Sequence, residues 1–337
     1  MNRQAARGFP LGVSPMMLNR TALLDEPATH TNVLWDDSAC PLCCAESSSL
    51  VLEAPDPTPS DGPGLWFAVV RCENCGLAYT NPRPSPATIG RFYPADYRPH
   101  RRPRKMQESR PARPLWSYLF GRPCNERRGT LPWHGLGRLL DFGCGGGSFL
   151  KRMADQGWNV TGLDAAVGAV REVQDELGLN ALAGTLPHPD LRPCSFDVVT
   201  MWHSLEHVHR PLAILREAYK LLMPGGKLIV AAPNLESLPF YWFGQSWFGL
   251  DLPRHLTHFT PKSMREMLET AGFQIETVRM LRHSDWLRSS AKLAVRQGRG
   301  SLFANLLRWK PLAKAAAWGC YAAGMSDCMM AVAHRPE

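Results

Sequence analysis

Apolar periodicity along the chain comes in two blocks separated by stretches that have none. In the first block "SLVLEA" (49–54) and "LWFAVVRC" (65–72) read as strands joined by the turn-rich "APDPTPSDGPG" (54–64). The second block opens with "RLLDF" (138–142), a short apolar run stopped by glycines. It continues as "SFLKRMADQG" (148–157), whose apolar positions recur at helical spacing up to Gly157. "NVTGLD" (159–164) is a second strand and "AAVGAVREVQDELGL" (165–179) a second helix. Two strand–helix units in series predict a parallel sheet covered by helices, an α/β fold. Further on, "DWLRSSAKLAVRQGRGSLFANLLRWKPLAKAAAWGCYAAG" (285–324) reads as two or three helices, with Trp309 and Trp318 on an apolar side and a basic side opposite. That composition suits a cap over a site, and equally an interfacial helix on anionic lipid.

Composition sets the frame. The chain has 337 residues, 45% hydrophobic and 20% charged, enough for one sizeable domain and a small one. No apolar stretch approaches the ~20 residues needed to span a bilayer. "MNRQAARGFPLGVSPMMLNR" lacks the apolar centre of a secretory signal, so a cytoplasmic protein is expected. The expected layout is an unstructured arm over 1–36, a small module over 37–95, a linker over 96–130 and the α/β domain over 131–337, with its helical insertion at about 284–325.

Charge is placed unevenly. Residues 98–128 hold ten Lys or Arg against two acidic residues, and residues 279–314 hold nine against Asp285, together +16 where the whole chain carries +8. Such segments suit phosphate or an anionic membrane surface, or they are simply a solvated linker and helix face.

The cysteines say more by spacing than by number. "CPLCC" contributes Cys40 and Cys43, and "CENCG" contributes Cys72 and Cys75. Two C-x-x-C knuckles supply the four thiolates of one tetrahedral zinc, a ribbon whose hairpin tip is enlarged. A closed four-thiolate shell points to a structural rather than a catalytic metal, with binding energy that helps fold the module. Cys44 is a spare fifth thiol, and a redox C-x-x-C remains the competing reading.

"LLDFGCGGGSFL" (139–150) packs four glycines into the turn after the first strand. Ligands of parallel sheets bind at the carboxyl ends of strands, where Gly143, Gly145 and Gly147 let bare amides approach. Asp164 ends the next strand, 21 residues after Gly143, where a carboxylate can accept ribose hydroxyls. The dinucleotide fingerprint fails at its last glycine, where Ser148 stands, and no lysine follows as in a P-loop. A carboxylate ahead of the turn, Asp141, repels pyrophosphate and suits an ammonium group. A ligand with an amino acid at one end and a nucleoside at the other satisfies both: S-adenosylmethionine.

From about Gly137 to the C-terminus the chain resembles the class I S-adenosylmethionine-dependent methyltransferases. "LLDFGCGGGSFL" and "VTGLDAA" look like their first two motifs, "SFDVVTMWHSLEHVHRP" like the fourth-strand motif and "LLMPGGKLIVAAPN" like the fifth-strand region. The match extends to a bacterial subgroup with an N-terminal four-cysteine zinc ribbon, "NPRPS" and a "PRHLTHFTPKSMREMLETAGF" segment. The resemblance implies a Rossmann-like seven-stranded sheet with helices on both faces and a reversed last strand, which "DCMMAVAHRP" fits. It implies that Asp141, Gly147 and the amides of Gly143, Cys144 and Gly145 hold the methionine end of the donor, and Asp164 with Ala165 the ribose. Thr185 stands at the third-strand end, where many relatives have an acidic residue contacting adenine, and Trp202 and His203 line the donor pocket.

Methyl transfer from a sulfonium needs alignment and exclusion of water, and a hydroxyl acceptor also needs its proton removed. His207, His255 and His258 are the candidate bases, His255 because it follows the aromatic "FYWFGQSWFGLDLPRH". The expected activity is methylation of a hydroxyl, amine or carbon of a small-molecule, sugar or lipid intermediate, with peripheral contact at the inner membrane face as an option. An RNA methyltransferase gripping phosphates through ribbon and linker is one alternative, and a noncatalytic zinc-ribbon adaptor another.

Overall fold

Valine, leucine, isoleucine, alanine and methionine on both faces of short runs dictate strands buried from both sides. The computed structural model describes residues 33–58, 65–93 and 137–337. The arm expected over 1–36 lies outside them apart from 33–36, and so does the basic linker over 96–130, on which the RNA reading leans. The described residues within Leu34–Glu337 form one compact unit.

The N-terminal strands are β1 (Trp35–Asp36), β2 (Ser48–Pro55), β3 (Trp66–Cys72), β4 (Ala78–Thr80) and β5 (Arg83–Pro84). β2 and β3 pair antiparallel from Ser48↔Cys72 to Pro55↔Trp66, which brings the two cysteine knuckles together at the hairpin's open end.

The α/β part begins with β6 (Arg138–Phe142), α1 (Ser148–Ala154), β7 (Asn159–Asp164), α2 (Val167–Leu177), β8 (Ala181–Ala183) and β9 (Phe196–Trp202). There follow α3 (Pro211–Leu221), β10 (Leu222–Pro233), α4 (Leu238–Phe243), β11 (Thr257–His258), α5 (Pro261–Thr270) and β12 (Gln274–Leu281). Three helices, α6 (Ser284–Arg296), α7 (Leu302–Leu307) and α8 (Lys310–Ala322), occupy the expected insertion before β13 (Cys328–His334). Seven strands make one sheet in the order β12-β13-β10-β9-β6-β7-β8, with β13 antiparallel to both neighbours. This is the Rossmann-like α/β sheet with a reversed last strand that the resemblance implies.

One face of the sheet packs Val199, Met201 and Val230 against Leu215 of α3 and Met264, Met267 and Leu268 of α5. The other packs Leu139, Val198 and Ile229 against Phe149 and Leu150 of α1 and Val170 and Val173 of α2. Each such side chain contributes ~1.5–3 kcal/mol by leaving water. α5 starts at a reciprocal cap. Thr260 Oγ1 accepts the Ser263 N–H at 3.1 Å, and Ser263 Oγ accepts the Thr260 N–H at 2.9 Å. The small sheet closes across the chain, because β11 pairs antiparallel with β4 through Thr257↔Tyr79 and His258↔Ala78.

Ahead of β13, buried Asp327 accepts the indole N–H of buried Trp247 at 2.7 Å. Burial pushes its carboxyl up to about 7, against a smaller opposing effect of that bond. A raised acid pKa means this group's stabilisation is full below the unfolded value near 4 and is lost as pH rises through about 7. Asp327→Asn keeps an acceptor for Trp247 and removes the buried charge. Urea titrations should therefore find the variant more stable than wild type at pH 8, by on the order of a few kcal/mol, with the gap closing toward pH 4 to 5.

Candidate active site

The glycine-rich turn sits at the carboxyl end of β6 because only backbone fits there. Gly143 has φ +74°, and a Cβ on it would lie 2.4 Å from the Ser204 Cβ. Ser204 in turn donates its hydroxyl to the Phe142 carbonyl at 2.8 Å, which locks the segment after β9 onto the turn. Gly147 has φ +70° at the start of α1, where a Cβ would meet Val173 at 2.7 Å.

Two buried carboxylates flank this turn. Asp164 accepts the Gly145 N–H on Oδ2 and the Ala166 N–H on Oδ1, both at 2.8 Å. It therefore holds the turn to the end of β7, and each oxygen keeps a lone pair for a further donor. Asp141 accepts the Thr200 hydroxyl at 2.7 Å from β9. Cys144 is buried, and burial raises its thiol well above the ordinary range, so it packs as a small apolar side chain. Trp202 is buried at the end of β9, 5.4 Å from the Phe149 ring, and its indole N–H has no hydrogen-bond partner among the described residues. His203 follows at φ +53°, with its ring 4.9 Å from that of Trp286 in α6. The insertion thus leans on the end of β9. Ala165 and Thr185 are exposed, Ala165 directly after Asp164 and Thr185 beyond β8. Two adjacent strand-end carboxylates, glycine backbone between them and an unused indole donor fit a zwitterionic nucleoside such as S-adenosylmethionine.

The three histidines separate by environment. His258 Nε2 lies 3.0 Å from Thr80 Oγ1, which itself donates to the His255 carbonyl at 2.8 Å, so the ring serves the β4–β11 junction. Burial pushes its pKa down to about 3. His255 and His207 meet edge to face at 4.6 Å. His255 Nδ1 is 2.9 Å from the Gly249 carbonyl, and His207 Nδ1 is 3.1 Å from the Arg254 carbonyl and 3.0 Å from the Tyr93 hydroxyl. A carbonyl only accepts, so both Nδ1 atoms carry the proton and both Nε2 atoms keep a lone pair. Burial lowers His207 to about 4 and His255 in the same direction, leaving neutral rings.

Beside them stands a residue that sequence reasoning passed over. Glu206 is fully buried and, among the described residues, neither carboxylate oxygen has a hydrogen-bond partner, while His203 Nδ1 lies 3.4 Å away. Its signal was a lone acid among apolar neighbours in "SLEHV", immediately before a residue already singled out. Also unforeseen was fully buried Arg254, which bonds Asp251 at 2.8 Å, Asp56 at 2.7 Å and the Phe92 carbonyl at 2.7 Å. Burial opposes ionisation of Asp251, but Arg254 outweighs it and holds the acid below its usual pKa.

The cysteines of the two C-x-x-C knuckles converge, with Cys40 and Cys75 sulfurs 3.5 Å apart, Cys43 and Cys72 sulfurs 3.5 Å apart, and all four within 4.8 Å. Thiolates at ~2.3 Å from a tetrahedral zinc stand ~3.8 Å from one another, so the cluster fits that ion. Cys44 is exposed and outside the cluster.

A methyltransferase-domain family profile matches residues 100–278, more than half of the chain. The ubiquinone biosynthesis O-methyltransferase of Xanthomonas euvesicatoria pv. vesicatoria is 35% identical over 171 residues, which cover 47% of this chain and 71% of that protein. Its counterpart in Xanthomonas axonopodis pv. citri is 34% identical over the same shares. Among solved structures, an S-adenosylmethionine-dependent methyltransferase from Mesorhizobium loti matches at 20% identity and TM-score 0.43, covering 61% of this chain and 94% of that one. The Burkholderia thailandensis 1,6-didemethyltoxoflavin-N1-methyltransferase matches at 16% identity and TM-score 0.39, covering 60% and 72%. The chain belongs to the class I S-adenosylmethionine-dependent methyltransferases, and it is an enzyme of that kind.

Asp164 ties the glycine turn to β7 and has lone pairs to spare. Asp164→Ala should weaken S-adenosylmethionine binding by about 10- to 100-fold, the usual worth of a charge-assisted hydrogen bond. Calorimetric titration with the donor and with S-adenosylhomocysteine is the check, and unchanged affinity would remove Asp164 from the site.

Proposed function

We propose that this enzyme methylates a hydroxyl group of a small molecule, with the donor on the Asp141–Gly147 turn and the acceptor over Glu206, His207 and His255. The observation that carries the reading is the pair of imidazoles, each with Nδ1 committed to a backbone carbonyl and Nε2 free to interact, beside a buried acid. The O-methyltransferase relatives support oxygen as the acceptor atom. Sugar and lipid intermediates carry the same hydroxyl chemistry.

Bound S-adenosylmethionine supplies a methyl group already activated on a sulfonium. Asp141 would hold its ammonium, the amides of Gly143, Cys144 and Gly145 its carboxylate, and Asp164 its ribose, with Trp202 and His203 lining the same pocket. Ser204, bonded to Phe142, fixes the distance between this turn and the residues after β9. The acceptor's hydroxyl proton leaves into the Glu206–His207–His255 cluster as the carbon–oxygen bond forms, so no alkoxide has to exist free in water. Trp286 and Phe248, with rings 5.5 Å apart, make part of a cover that excludes solvent. His258 holds the β4–β11 junction. Cys40, Cys43, Cys72 and Cys75 hold a structural zinc.

Two measurements test this. With 13C-methyl donor and the small-molecule fraction of a cell extract, the label should appear at methyl-ether shifts; label confined to nitrogen, carbon or RNA would defeat the hydroxyl reading. Acceptor turnover in His255→Ala should fall about 100-fold or more, the usual worth of positioned proton transfer, with donor affinity held within about twofold by calorimetry.

For the ribbon, purified protein should contain tightly held zinc, and a strong chelator should lower its melting temperature by several degrees, since metal binding is folding energy there. Zinc content unaffected by Cys72→Ser would refute the assignment.

A further inference from the structure

Glu206 poses a physical problem. A carboxylate with no solvent and no hydrogen-bond donor on either oxygen is among the least favourable things a protein interior can hold, unless a cation is supplied. Among the described residues, His203 Nδ1 stands 3.4 Å from Glu206 Oε1 without forming a hydrogen bond. The neighbouring acid, Asp251, is committed to Arg254, whose guanidinium also serves Asp56 and so does not reach Glu206 as a partner.

We infer that Glu206, His207 and His255 form a binding site for one divalent transition-metal ion, distinct from the ribbon. One ligand atom from each of the three lies within 4.8 Å of the others. Ligands at ~2.1 Å from a common ion stand about 3.0 to 3.4 Å apart, a spacing that lies inside that limit. Both imidazoles are prepared for it. His255 donates Nδ1–H to the Gly249 carbonyl and His207 donates Nδ1–H to the Arg254 carbonyl, which fixes the tautomer and presents Nε2. A backbone carbonyl behind the ring is the usual orienting partner of a metal-bound histidine.

The backbone supports the same arrangement. The Leu256 N–H donates to the Glu206 carbonyl at 2.7 Å, and Arg254 braces the loop ahead of His255 through Asp251 and the Leu252 carbonyl. Two imidazoles and one carboxylate select zinc, cobalt or iron(II) over magnesium or calcium, which want oxygen ligands. Three protein ligands also leave a position open, as in catalytic metal sites, whereas the ribbon's four thiolates close theirs.

The chemical consequence rests on the hydroxyl reading above. With the ion bound, the Nε2 lone pairs hold metal, and the acceptor hydroxyl takes the open position. Coordination makes its O–H bond more acidic. That bond breaks, and the proton passes to the Glu206 oxygen not used by the ion. The oxygen's electron pair forms the new bond to the methyl carbon as the sulfur–carbon bond breaks. The products are the methyl ether, S-adenosylhomocysteine and one proton.

The test uses full-length protein, stripped with a chelator and reloaded with cobalt(II). Wild type should bind a cobalt ion whose visible bands show nitrogen and oxygen ligation, in addition to any ion with thiolate charge-transfer bands from the ribbon. Glu206→Gln and His255→Ala should each lose the first signal and keep the second. Zinc and manganese titrations of wild type, followed by elemental analysis after gel filtration, give the same count without relying on a variant that folds. Cobalt bound only with thiolate bands overturns the site, and so does an undiminished nitrogen–oxygen signal in Glu206→Gln. Methyl-ether formation without that signal sinks the metal site and leaves the hydroxyl reading standing. The signal present with label on nitrogen or carbon does the reverse.

Discussion

A single buried guanidinium sets the geometry on which the proposed acceptor side depends. Arg254 lies in the loop between α4 and β11, fully enclosed, and its five donors go to Asp251 in the same loop, to Asp56 beyond β2 and to backbone carbonyls. A buried cation without partners would be ruinous, whereas one in this company is tolerated only in one position. The loop therefore has one shape, and that shape carries His255 to His207. Because Asp56 follows β2 of the small sheet, the placement of a histidine beside the seven-stranded sheet depends on a carboxylate 198 positions away.

The donor side obeys a different constraint, the absence of side chains. Gly143 faces Ser204 so closely that any Cβ would collide, and Ser204 is itself bonded to Phe142. The turn after β6 and the segment after β9 are thus one rigid piece, with Asp164 strapping it to β7. The four residues from Ser204 to His207 join this turn to the proposed acceptor cluster.

Much of this was legible in the sequence, for identifiable reasons. The β6–turn–α1 unit showed itself because glycine, aspartate and apolar periodicity all pointed the same way. The helix after β7 was read from residue 165, but it begins at Val167, since Asp164 uses the Ala166 N–H and delays the first turn. The cysteines converge as their spacing implied. What escaped notice was non-local. Arg254 meets Asp56 across 198 positions, and no periodicity announces such a pair. β11 is two residues long, too short to leave a pattern, and exists only because β4 offers an edge. Glu206 hid in plain view, because adjacency to His207 in sequence gave no hint that its carboxylate would be left without a donor.

That two-residue strand has an evolutionary corollary. Thr257 and His258 complete the small sheet from within the catalytic part, so the cysteine module lacks a full edge of its own. A recombination that traded this module for a cousin's would strand the loop carrying Arg254 and His255 without its dock. Inheritance is then expected to keep the two portions together, the more so because Arg296 of α6 also donates to the Pro57 carbonyl beyond β2.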